Sequence, residues 1–442
     1  MNALISKMLF RDDGIERPPG PGPVETIRMN VEFVRDQIGS LRQLDEAYGP
    51  VSRMRLGSLE NYLVTDPAVI EDVLLRNSMA FHKDAFSKDV GVLLGDGLLI
   101  SEDEKWRRQR KLIAPNLQPR HIESYADVMV DETRRVVDEW QDGEVRRIDR
   151  DMMEITLRVV VETLFDLDAD AIDDAMDYLD EITHSFWRFL PASIPSPQQG
   201  AFEEARDHLN AVIYDLIEAR RQRDEPGDDL LYRLIEATDE DGNQMSDRQL
   251  RDELITLFLA TTYAWWLMTD HPETLERAQR EVDDVIGDRR PGLRDVESLP
   301  YVDAVLKESM RLYPPAWVIG REATEEVDVG DYTVPEGAQV LLPQCLVHRK
   351  AEYYDEPDTF RPERWLDGLE DDLPRYAYFP FGGGPRICIG NHFAKMETIL
   401  LTATILQQAD LENVTDRPLE TDTSITQRPT HPIEMRVEKR NA

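Results

Sequence analysis

The ten residues Phe381-Gly-Gly-Gly-Pro-Arg-Ile-Cys-Ile-Gly390 constrain this chain more than any other feature. Three consecutive glycines allow a tight turn at backbone angles that other residues avoid. The amides opened by such a turn can converge on one sulfur, that of Cys388. The run that follows, Ile389 to Leu400, has helical spacing. Cys388 is therefore expected at a helix N-terminus, where the dipole favours the thiolate and Arg386 adds a positive charge beside it.

Two plainer readings compete. A lone cysteine is most often a small buried hydrophobe, and glycines ahead of a helix can cradle phosphate. No Lys-Ser or Lys-Thr follows the glycines, however, and Pro385 removes an N–H where a phosphate nest needs one. The simultaneous match at Phe381, Gly382, Arg386, Cys388 and Gly390 looks like the loop that presents an axial thiolate to a haem iron. In this it resembles the cytochrome P450 superfamily.

The resemblance extends upstream. Lys307-Glu-Ser-Met-Arg311 places Glu308 and Arg311 three residues apart on a helix ended by Pro314 and Pro315. Alone, such a pair is usually a solvated surface contact. Phe360-Arg-Pro-Glu-Arg-Trp365 is similar to the second family signature. By resemblance, its Arg364 joins Glu308 and Arg311 in a buried structural triad that marks the fold and takes no part in chemistry. Two cations and one carboxylate in low dielectric are costly unless fully hydrogen-bonded.

Trp106-Arg-Arg-Gln-Arg110 resembles the family's Trp-x-x-x-Arg helix. The resemblance implies that Trp106, Arg110, Arg321 and Arg386 hold the propionates of haem b, a task suited to the planar fork of arginine. Cys388 is then the axial iron ligand.

The 442 residues contain no Gly/Ser-rich linker, repeat or low-complexity block. Helical periodicity covers most of 120–285 and again 296–312, while Tyr62-Leu63-Val64 and Gln339-Val340-Leu341-Leu342 read as strands. The expected fold is mainly α with a minor β-sheet, the single large domain of the family over residues 24–442. Residues 1–23 form an N-terminal arm, its Arg17-Pro-Pro-Gly-Pro-Gly-Pro23 stretch stiff and extended. Met1 to Phe10, interrupted by Lys7, is too short to cross a bilayer, and no signal peptide is visible.

The 88 acidic against 51 basic residues give a formal charge of −37, which excludes nucleic-acid binding and adhesion to anionic lipid. Acidic runs such as Asp224–Asp229 and Glu370–Asp372 keep a surface hydrated in very high salt. The 41% hydrophobic content argues for a folded core against disorder. The reading is a halophilic, cytoplasmic, haloarchaeal-like protein. Cys345, the only other cysteine, is assigned to packing.

The chief departure from the family lies in the central helix. Ser246-Asp-Arg-Gln249 resembles a capping box, and Arg251 to Ala260 reads like the first half of the long helix over the distal haem face. The family's acid–Thr pair should follow. Instead Thr261 and Thr262 come at once and Asp270-His-Pro-Glu273 arrives early, a loss of about eight residues or roughly 12 Å of helix. That pair organises the water that delivers protons to bound dioxygen. Thr261 and Thr262 are the candidate substitutes, against the plainer reading that each hydroxyl bonds the preceding turn.

Three functions stay open. By resemblance the first is a monooxygenase that takes electrons from a ferredoxin- or flavodoxin-type donor and oxygenates a small apolar substrate. The second is a haem enzyme that uses peroxide or rearranges an oxidised substrate. The third is an inactive haem-binding protein. The segment Ile182 to Ala219, with Phe186, Trp187, Phe189, Leu190, Pro191, Pro195 and Pro197, is where the family places its substrate lid. Fatty acid, terpenoid and steroid substrates are equally compatible with it.

Overall fold

The computed structural model describes residues 16–84, 97–118, 122–165, 262–423 and 426–440, with scattered positions between 204 and 232. Two compact units emerge, each woven from three stretches of chain. The first takes Met1–Val90, Met310–Phe360 and Gly368–Cys388, and the second takes Gly91–Ser309, Arg361–Asp367 and Ile389–Ala442.

The first unit is built on a five-stranded sheet. Its strands are β1 (Val51–Leu56), β2 (Leu59–Val64), β3 (Phe81–His82), β5 (Ile319–Ala323) and β8 (Gln339–Leu342), in the order β1-β2-β8-β5-β3. The two runs read as strands meet at its centre, where Tyr62 pairs with Val340 and Leu63 with Leu341 in parallel. Both faces of β8 are covered, as expected of a strand made of Gln-Val-Leu-Leu. β6 (Val327–Val329) and β7 (Tyr332–Val334) form a separate hairpin.

Helices α1 (Pro23–Arg35), α2 (Gln37–Tyr48) and α3 (Pro67–Glu71) precede and follow the first strands. α3 starts where the sequence dictates. The Asp66 carboxylate accepts from the amides of Ala68 and Val69, and Pro67 occupies the first helical position. A π-helical turn, Asp72–Arg76, continues it. Ahead of α1, the proline-rich stretch is not helical: the Arg53 amide donates to the Pro19 carbonyl at 2.9 Å, so this stretch lies along β1.

The second unit is mostly helical. It holds α4 (Asp103–Ile113), α5 (Ala126–Glu139), α6 (Ile148–Phe165), α7 (Tyr263–Asp270), α8 (Pro272–Val285) and most of α9 (Pro300–Leu312). A three-stranded sheet of β4 (Val145–Arg147), β12 (Glu434–Lys439) and β9 (Ala409–Asn413) flanks them. The hairpin of β10 (Thr421–Thr423) and β11 (Gln427–Pro429) also belongs here. α9 begins at Pro300, where the Glu281 carboxylate receives the amides of Tyr301 and Val302 at 2.8–3.0 Å. It stops at Leu312, just before the paired prolines.

Short helices α10 (Gln344–Val347), α11 (Glu363–Leu366) and α12 (Leu369–Asp372) lead to α13 (Asn391–Gln408). From Ile399 to Leu406 every residue of α13 is buried, the pattern of a helix through the middle of a core. Among the described residues no helix is long and apolar enough to cross a membrane. Much of the helical periodicity expected over 120–285 falls on residues 166–261, almost all outside the described ones. So do the capping box at Ser246–Gln249, the run Arg251–Ala260 and most of the lid segment Ile182–Ala219.

Glu397 sits inside this core with only 4% of its surface exposed. Desolvation pushes its carboxyl up to about 8, opposed by a hydrogen bond from the Thr156 hydroxyl. The folded value lies above the usual 4.5, so the stabilisation is complete below that pH and is lost as pH rises through about 8. Glu397→Gln is expected to flatten this alkaline loss, measured as the unfolding midpoint at pH 5, 7 and 9 (about two-unit steps across the window) at fixed salt.

Candidate functional site

Cys388 ends the first unit and is exposed and unbridged, whereas Cys345 is buried against Trp317, its thiol pushed up to about 12 by desolvation. The loop before Cys388 is closed by its own backbone. The Gly382 amide donates to the Phe379 carbonyl at 2.8 Å, and the Cys388 amide returns to the Phe381 carbonyl at 2.9 Å. Gly384–Arg386 form a single 3₁₀ turn between them.

The glycines answer two different demands. Gly382 and Gly384 adopt φ of +74° and +64°, the left-handed region that side chains resist. At Gly384 there is also no room, because a Cβ would lie 1.8 Å from the Leu74 carbonyl oxygen in the π-helical turn. Gly383 is extended, and its Cβ would meet the ring of Tyr376 at 2.1 Å. The loop is therefore pressed onto the first unit's core by close backbone approach. Tyr376 and Phe379 belong to that core, with Tyr62, Leu74, Phe81 and Val340.

Side chains grip the chain entering the loop. The Tyr354 hydroxyl donates to the Ala377 carbonyl at 2.9 Å. Gln344 and His348, at the two ends of α10, hold Phe379 by its carbonyl and its amide respectively. Neither Gln344 nor His348 stands out in the sequence, because nothing local links them to a loop more than thirty residues later.

Glu308 is fully buried, yet its carboxylate has three donors: Arg364 Nε at 3.1 Å, Trp365 Nε1 at 2.9 Å and the Arg361 amide at 3.0 Å. The structure thus joins Glu308 and Arg364, and adds Trp365, which the sequence reading passed over although it is the next residue. Arg311 lies one turn further along α9. Its guanidinium donates to the carbonyls of His348 (2.9 Å), Pro357 (2.6 Å) and Thr359 (3.2 Å). These are structural cations and a structural anion, held where desolvation would otherwise be prohibitive.

The other candidate cations have definite places. In the first unit Arg321 lies in β5 opposite Val340, and its Nη1 donates to the Gly320 carbonyl at 2.7 Å. Arg386 ends the 3₁₀ turn two residues before Cys388. In the second unit Trp106 and Arg110 sit one turn apart on α4, the guanidinium 5.9 Å from the indole ring centre. Gly390 is the N-terminal cap residue of α13, so Cys388 comes just ahead of that helix. Thr262 precedes α7 with its side chain making no cap bond to the helix. Thr261 lies outside the described residues. α7 itself is apolar and buried, with Trp265 at 1% and Met268 at 0% exposure.

This donor set fits haem b. Among the described residues no three His, Cys, Asp or Glu side chains cluster as a chelate. A single accessible thiolate suits an iron whose equatorial positions a porphyrin fills. The exposed Cys388 follows a loop in which a Cβ at Gly383 or Gly384 would have no space.

The family pattern described as Cytochrome P450 matches residues 18–437. Cyclooctat-9-en-7-ol 5-monooxygenase of Streptomyces melanosporofaciens is 31% identical over 420 residues, 90% of this chain and 91% of that protein. Pentalenene oxygenase of Streptomyces avermitilis is 30% identical, covering 88% of this chain and 90% of its own. Among solved structures, the retinoic acid bound cyanobacterial CYP120A1 has a TM-score of 0.85 at 23% identity, over 96% of this chain and 99% of that one. The mainly helical fold with small sheets is thereby shared across nearly the whole length.

Gly384→Ala is expected to be far more damaging than Gly383→Ala, because its Cβ meets fixed backbone at positive φ whereas Tyr376 can turn aside. Strain and overpacking together should cost Gly384→Ala about 3 kcal/mol or more. Denaturant unfolding of the two variants measures the difference.

Proposed function

The chain belongs to the cytochrome P450 family, haem b monooxygenases, and from that premise we propose that it oxygenates an unsaturated, largely hydrocarbon substrate of terpenoid type. The loop that delivers Cys388 carries this reading. Support for the substrate comes from the compounds named in the relatives and the neighbour: cyclooctat-9-en-7-ol, pentalenene and retinoic acid. All three are unsaturated, mostly hydrocarbon skeletons.

Haem bound at Cys388 supplies the iron on which dioxygen is reduced and cleaved. The chain's own residues do the rest. Cys388 would hold the haem iron through its thiolate, a form favoured by the loop amides, by Arg386 and by the start of α13. Trp106, Arg110, Arg321 and Arg386 would hold the propionates of the bound group, and Phe381, Gly382 and Gly390 would contact it. Electrons arrive singly from a ferredoxin- or flavodoxin-type donor. The acidic composition and exposed runs such as Glu370–Asp372 support a halophilic, cytoplasmic setting.

The shortened distal segment shapes turnover. No Asp or Glu lies between Glu253 and Asp270, so the chain offers no carboxylate there to relay protons, and Thr261 and Thr262 have only hydroxyls. Oxygen activation is therefore inefficient, and a peroxide, which brings its own protons and electrons, is a better oxidant. This is the second reading, favoured by that one sequence feature.

Three outcomes follow in the haem-loaded protein. Spin-state titration should show tighter binding of a cyclic terpene olefin than of a saturated fatty acid or a steroid, and the reverse order overturns the substrate assignment. With ferredoxin and its reductase, reductant consumed should greatly exceed product formed, while added peroxide raises the yield. Tight coupling of reductant to product would remove the argument from the missing acid–Thr pair. Finally, haem retention should need molar salt and be lost on dialysis into dilute buffer.

A further inference from the structure

We infer that Gln344 and His348 are positioning residues for the cysteine ligand, an inference that rests on the haem-thiolate reading of Cys388. Both are fully buried and both belong to one short element, α10 and the residue that caps it. Together they seize the two backbone groups of a single residue, Phe379. The Phe379 amide donates to His348 Nε2 at 3.0 Å, and Gln344 Nε2 donates to the Phe379 carbonyl. That carbonyl also accepts the Gly382 amide at 2.8 Å, so the first bond inside the loop shares its acceptor with the Gln344 clamp.

The path from clamp to ligand is short. Phe381, two residues after Phe379, accepts the Cys388 amide at 2.9 Å. A rotation of the peptide planes at Phe379 would tilt the Gly382–Gly384 turn and, through the Phe381 carbonyl, the backbone of Cys388. The turn cannot absorb such a tilt at its other end, because Gly384 is already in contact distance of the Leu74 backbone. α10 is fixed in turn: the His348 carbonyl accepts from Arg311 Nη1 at 2.9 Å. Buried hydrogen bonds therefore run from Arg311 through His348 and Phe379 to the loop.

The chemistry of the two side chains fits this role better than packing. Nε2 of His348 accepts from an amide, so the ring is neutral with its proton on Nδ1, on the side of the Met310 carbonyl without a full hydrogen bond. Burial, helped by the charge of Arg311, keeps the ring in that state by driving its pKa down to about 3. Gln344 Oε1 is likewise buried without a donor. An apolar side chain would avoid both costs. What glutamine and histidine supply in exchange is the pair of bonds to Phe379.

The test compares parent, Gln344→Met, His348→Leu and His348→Asn as haem-loaded proteins, through haem content, unfolding midpoint and the reduced, carbon monoxide-bound spectrum. Gln344→Met should keep haem content and an equal or higher midpoint, yet its ratio of thiolate-type to thiol-type absorbance should fall by about tenfold, as expected when a group that orients a metal ligand is lost. His348→Leu should fall similarly, and His348→Asn, whose amide oxygen can take the Phe379 N–H, should recover most of the thiolate form. A Gln344→Met protein that folds with an unchanged thiolate-type spectrum overturns the inference, whether or not His348→Leu folds. If the parent itself shows no thiolate-type band, the haem-thiolate reading fails first and this inference with it, an outcome the parent spectrum alone identifies.

Discussion

A carboxylate with no exposed surface, Glu308, is the interaction on which the rest of the second unit's organisation near α9 depends. An ion in that position survives only if every lone pair in use has a donor, and Arg364, Trp365 and the Arg361 amide provide three. These donors come from a stretch some fifty residues later in the chain. Satisfying one charge thus fixes where residues 361–365 must lie. Removing either partner would leave the other buried and unpaired, which costs more than the pair itself contributes, so such a pair specifies a fold more than it stabilises one.

Arg311, one turn along the same helix, applies the same logic with the sign reversed. Its guanidinium is fully buried and its donors are spent on the carbonyls of His348, Pro357 and Thr359. Irregular backbone cannot satisfy its own carbonyls, and a planar cation with five donors can satisfy several at once. The irregular backbone between His348 and Thr359 thereby gains hydrogen-bond partners of the kind a neighbouring strand would supply.

Cys388 is exposed, at the end of a loop whose glycines touch backbone and core, whereas Cys345 is buried and inert. The two cysteines differ in environment, not in kind.

Local residue order was enough to reveal the loop around Cys388, the strands at Tyr62–Val64 and Gln339–Leu342, the end of α9 before Pro314 and the presence of a helix after Cys388. Each depends on glycine or proline geometry, on capping or on periodicity, all properties of a few neighbouring residues. Resemblance of motif, and not local physics, brought Glu308 together with Arg364. The parallel pairing of the two strands, the third donor on Glu308 from Trp365, the grip of Gln344 and His348 on Phe379, and the backbone contact that forbids any side chain at Gly384 were decided only by the tertiary structure. Each joins residues separated by tens to hundreds of positions, and a hydrogen bond or a steric limit between distant segments leaves no periodic or compositional trace in either of them.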